Sequence, residues 1–69
     1  MKLKEAIAWA ESLKNKWEKN RGEPIDYYFW HVAKWNDGYI VIDNNCFKRN
    51  PKFWTTVYNT KEQIIYDQH

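Results

Sequence analysis

At 69 residues the chain has material for one hydrophobic core, so residues 1–69 are expected to form a single domain with its function on one small surface. Eleven Lys and Arg against nine Asp and Glu leave a formal charge of +2, short of the concentrated positive field of a dedicated duplex-DNA binder. A lone cysteine, Cys46, excludes an internal disulfide framework, and charges spread through the N-terminus replace a signal peptide's apolar core, so a cytoplasmic protein is expected.

Residues 2–20 read as an amphipathic helix. Leu3, Ala6, Ile7, Ala10, Leu13 and Trp17 fall on one stripe at helical spacing, with Lys4, Glu5, Glu11, Asn15 and Glu18 opposite and Trp9 at the stripe's edge. Gly22 supplies a left-handed stop, and Pro24 prevents the helix from resuming. From Ile25 onward the helical period disappears and aromatic and β-branched residues dominate, predicting strands over residues 26–35, 39–47 and 53–59.

Asn36-Asp37-Gly38 marks a hairpin with two candidate geometries, a two-residue primed turn at Asp37-Gly38 or a three-residue loop over all three residues with Gly38 left-handed. The three-residue form is favoured because it groups Tyr28, Trp30, Val32, Ile40 and Ile42 on one apolar face, setting Trp35 opposite Tyr39 and His31 opposite Asp43. Pro51 then makes the stretch Lys48 to Lys52 a turn with Lys48, Arg49 and Lys52 at its tip. Thr60, followed three residues later by Gln63, predicts a short helix over 60–68, with a fourth strand through Gln63 to Tyr66 as the alternative.

The expected architecture is therefore α+β, a helix laid on one face of a three-stranded antiparallel meander whose strands follow chain order. One helix covers one face. The other face, with Tyr27, Phe29, Ala33, Trp35, Tyr39 and Val41, is left for the C-terminal segment, water or another molecule.

No catalytic constellation stands out. His31 and Asp43 are read as a structural cross-strand pair and Cys46 as a small buried hydrophobe, because no nucleophile sits beside a base and oxyanion donors. Histidine at 31 and 69 and cysteine at 46 lack the close pairing of a zinc site, and two glycines make no phosphate loop, so neither metal nor cofactor is expected.

In size and style the chain resembles the small inhibitors and regulators encoded by phages and mobile elements, a likeness that carries no motif and transfers no residue. It implies a stoichiometric binder of a larger protein. The residues independently point to a non-enzymatic interaction module, with itself as a homodimer among the candidate partners. Its expected contacts are Tyr27, Phe29, Trp35, Tyr39 and Trp54 together with the outer strand, since exposed Trp and Tyr dominate binding energies. The alternative is single-stranded nucleic acid, with bases stacked on the aromatic face and the backbone held by Lys48, Arg49 and Lys52.

Overall fold

The computed structural model describes residues 1–24 and 27–66. Helix α1 (Leu3–Arg21) is followed by strands β1 (Trp30–Trp35) and β2 (Gly38–Asp43), helix α2 (Asn44–Arg49) and strand β3 (Thr56–Asn59). The three strands form one antiparallel sheet with α1 packed on it. Ala6 and Ala10 are fully buried where α1 meets the sheet, their small side chains letting the helix sit close, while Leu3, Ile7 and Leu13 pack around them. Trp9 lies at the stripe's edge and is exposed. Gly22 closes the helix at φ 76°, its N–H donating to the Glu18 carbonyl at 2.8 Å.

The strand order is β2-β1-β3, not the chain order of a meander. The cause is α2, which stands where the sequence predicted β2 continuing to residue 47. Asp43 ends the strand and caps the helix, its Oδ1 accepting the Cys46 backbone N–H at 2.7 Å. The chain then crosses the sheet face opposite α1 and lays β3 along the free side of β1. β1 is thereby central, with Val32 and Ala33 wholly buried.

The hairpin closes through a two-residue loop at Asn36-Asp37, one position before the Asp37-Gly38 turn, so neither expected register is observed and the favoured one is corrected by one position. Trp35 pairs with Gly38, Lys34 with Tyr39, Val32 with Val41 and His31 with Ile42. Asn36 supplies the positive φ, at 52°, which its short polar side chain tolerates. Gly38 serves a different need: a Cβ there would stand 2.8 Å from the Met1 carbonyl oxygen, which accepts the Tyr39 N–H at 3.1 Å. A shift of one residue reverses both faces of a strand. Tyr39 and Val41 therefore join Tyr28, Trp30 and Val32 in the cluster beneath α1, and Ile40 and Ile42 turn away from it.

The strand predicted from residue 26 begins at Trp30. Position 26 lies outside the described residues, and residues 27–29 have lost their β2 neighbours to α2; the Phe29 carbonyl instead accepts the Asn44 N–H at 2.9 Å. Likewise β3 starts at Thr56, after a turn in which the Phe53 N–H donates to the Asn50 carbonyl at 3.0 Å. A register irregularity between Val32 and Ala33 lets both Val57 and Tyr58 enter the core, where the Tyr58 hydroxyl donates to the Glu11 carboxylate on α1.

No helix forms over the described part of the predicted 60–68 segment; positions 67 and 68 lie outside the described residues. Asn59, in place of Thr60, caps a single turn by accepting the Glu62 N–H at 2.8 Å. Thr60 is instead bound into the sheet, its Oγ1 accepting the Trp30 N–H at 3.1 Å while its own N–H donates to the Trp30 carbonyl at 3.0 Å. The tail then returns along β3, where the Tyr66 N–H meets the Val57 carbonyl at 2.7 Å without extending the sheet by a fourth strand.

Because Asp43 both caps α2 and accepts the Tyr28 hydroxyl at 3.0 Å, Asp43→Ala is expected to cost about 1–2 kcal/mol. Asp43→Asn keeps an acceptor for the Cys46 N–H and is expected to lose less than half of that. Urea unfolding of the two variants checks the order; equal losses would contradict it.

Candidate functional site

The face left open by α1 is not bare. α2 covers its middle, and the chemistry there centres on His31, buried between two phenyl rings: Phe29 at 5.2 Å and Phe47 at 4.2 Å between ring centroids. Its Nε2 lies 3.0 Å from Asn44 Oδ1 and its Nδ1 lies 3.1 Å from Thr56 Oγ1. This arrangement satisfies a neutral imidazole, with Nε2–H donating to the amide oxygen and Nδ1 accepting the hydroxyl proton. The predicted partnership with Asp43 does not form, because the one-residue register change carries Asp43 to the other face and into the α2 cap.

His31 therefore ties three elements together. Burial holds its pKa below the usual histidine value, outweighing the opposing hydrogen bond it donates to Asn44 and the charge of Glu62. Among the described residues no three His, Cys, Asp or Glu side chains converge as a metal site would require.

The residues expected to bind a partner do not form one patch. Phe29 belongs to the His31 box and carries the Lys61 ammonium 5.6 Å above its ring. Tyr39 lies beneath α1. Trp35 and Trp54 do come together, their ring centroids 5.5 Å apart, and Phe53 completes a triangle at 5.8 Å from Trp35 and 4.8 Å from Trp54. Trp35 is 40% exposed and Phe53 56%. The three rings form an aromatic knob where the end of β1 meets the segment entering β3, positioned by the Lys34 N–H donating to the Thr55 carbonyl at 3.0 Å. From the sequence Phe53 is expected only as the first residue of a strand, and its adjacency to Trp54 is the signal that marks it.

Tyr27, 62% exposed, stands apart from the knob. With Trp17, Tyr28, Arg21 and Asn45 it lines an open cleft of about 390 Å³. Trp17 and Arg21 are four residues apart on α1, a spacing that places them on one face. Lys48 and Arg49 end α2 and Lys52 lies in the following turn, all exposed.

No helix among the described residues is long and apolar enough to cross a membrane. Compared with family models, curated proteins and solved structures, the chain matches none.

The neutral His31 box makes a pH prediction. The folded chain binds a proton at His31 only below the ordinary value of 6.5, whereas the unfolded chain binds it near that value. Stability is thus unaffected above this range and falls as pH drops through it, until the folded ring also protonates. The urea midpoint should decline from about pH 7 to about pH 5 and decline less in His31→Gln. Equal slopes for the two proteins would contradict a buried neutral imidazole.

Proposed function

We propose that this chain is a non-enzymatic interaction module that binds a larger protein stoichiometrically through the knob formed by Trp35, Phe53 and Trp54. The observation that carries this reading is the mutual contact of three large rings, of which Trp35 and Phe53 remain exposed and Trp54 is half-buried. Large aromatics are the side chains whose burial contributes most to association, and their few rotatable bonds make ordering them inexpensive. Mutual packing preorganises them further, since each ring restricts the others before a partner arrives.

The scaffold supports the same reading. No buried side-chain nitrogen or oxygen among the described residues lacks a hydrogen-bond partner, so the interior presents no spare polar group held ready for chemistry. The β3 edge, expected to add to another chain's sheet, is occupied at Val57 by the Tyr66 N–H. Docking on the aromatic face is therefore favoured over strand addition at that edge.

Trp35→Ala and Phe53→Ala should each spare the fold and weaken partner binding by about 2 kcal/mol or more, roughly 30-fold. The measurement is retention of a partner from native host extract by the immobilised wild-type chain and by each variant, across a salt series. Retention lost in both variants and insensitive to salt supports the proposal. Retention unchanged by them, or falling steeply with salt, would move the contact away from the knob. Sedimentation of the chain alone distinguishes a second copy from a different protein.

A further inference from the structure

The cleft bounded by Trp17, Arg21, Tyr27, Tyr28 and Asn45 lies at the opposite end of β1 from the aromatic knob, beyond the roughly 16 Å of strand between Trp30 and Trp35. Trp17 and Tyr28 form its wall, ring centroids 4.7 Å apart in an edge-to-face contact, with Trp17 38% exposed. The Arg21 guanidinium carbon sits 5.9 Å from the centroids of both the Trp17 and Tyr27 rings. The rings orient the guanidinium through its face, a contact that does not use its N–H edges.

These groups define their ligand by complementarity. Exposed ring faces accept a flat ring; an oriented guanidinium binds a phosphate by donating two parallel hydrogen bonds; an exposed amide can both donate to and accept from a base edge. An acidic peptide would use the guanidinium but leave the ring faces and the amide without matched partners. Asn45 also begins a row of polar positions on α2, with Lys48 and Arg49 three and four residues on and therefore on the same side of the helix. A phosphate chain leaving the cleft in that direction would meet two further cations.

We infer that this cleft binds a nucleoside monophosphate unit, the base stacked on Tyr27 or Trp17 and the phosphate held by Arg21. The unit can be a free nucleotide or one unpaired residue of a single strand, and both present the same chemistry to the cleft. This site goes beyond the protein-binding knob and shares no residue with it.

The test uses the full chain in low salt, with a short fluorescein-labelled oligothymidine followed by anisotropy and thymidine monophosphate followed by the Trp17 indole N–H resonance. Binding should weaken about fivefold or more in Arg21→Gln and in Tyr27→Ala, be retained in Tyr27→Phe, and be unaffected by Trp35→Ala. Arg21 and Tyr27 are exposed, so unchanged urea midpoints should accompany those losses. Oligonucleotide binding without mononucleotide binding identifies a strand as the source; comparable binding of both identifies the free nucleotide. Absence of binding by either probe would overturn the inference, as would binding that survives both Arg21→Gln and Tyr27→Ala. Because Trp35→Ala removes only the knob, failure there and failure here are separable.

Discussion

The carboxylate of Asp43 is the point on which the arrangement turns. It is the last residue of β2, and its two oxygens do different things: one takes the Cys46 N–H and starts α2, the other takes the Tyr28 hydroxyl and anchors the segment entering β1. Without that cap the apolar run through Ile42 has no reason to stop being strand. With it, the chain leaves the sheet, crosses the face opposite α1 and returns on the far side of β1. A strand flanked on both sides and covered on both faces results, which is how a small chain comes to bury Val32 and Ala33 completely.

The reversal also apportions the aromatic side chains. Trp17, Tyr28 and Trp30 pack together on the α1 side; Phe29 and Phe47 enclose His31 on the α2 side; Trp35, Phe53 and Trp54 remain beyond the reach of either helix. The first two groups are the price of a stable small fold. The third packs on itself, with Phe53 and Trp54 following α2 in the chain.

Much of this is legible in the residues. The α1 stripe and its Gly22 stop follow from spacing and from one left-handed position, and the hairpin is marked by its turn residues. The register is not, because Asn36 and Gly38 can each supply the unusual backbone conformation. The close approach of Met1, a contact distant in sequence, decides between them. That single step determines whether Tyr39 faces away from α1 or packs against the core beneath it. α2 is hidden for another reason: six residues show no helical period, and Val41 and Ile42 before it carry strand character up to the cap. At the C-terminus Thr60 has the side chain of a cap, but the unpaired Trp30 N–H beside it in the sheet takes that oxygen first. Of the site, Trp35 and Trp54 could be named from their place in the chain, whereas Phe53 and the Trp17–Arg21 cleft required the three-dimensional contacts.

The placement of β3 beside β1 is best tested by proton–proton Overhauser contacts in the labelled chain. The account predicts cross-strand contacts from His31 to Asn59 and from Val32 to Tyr58, together with ring contacts linking Trp35 to Phe53 and Trp54. Backbone contacts running from β2 directly to β3, with none between β1 and β3, would restore the meander and contradict it.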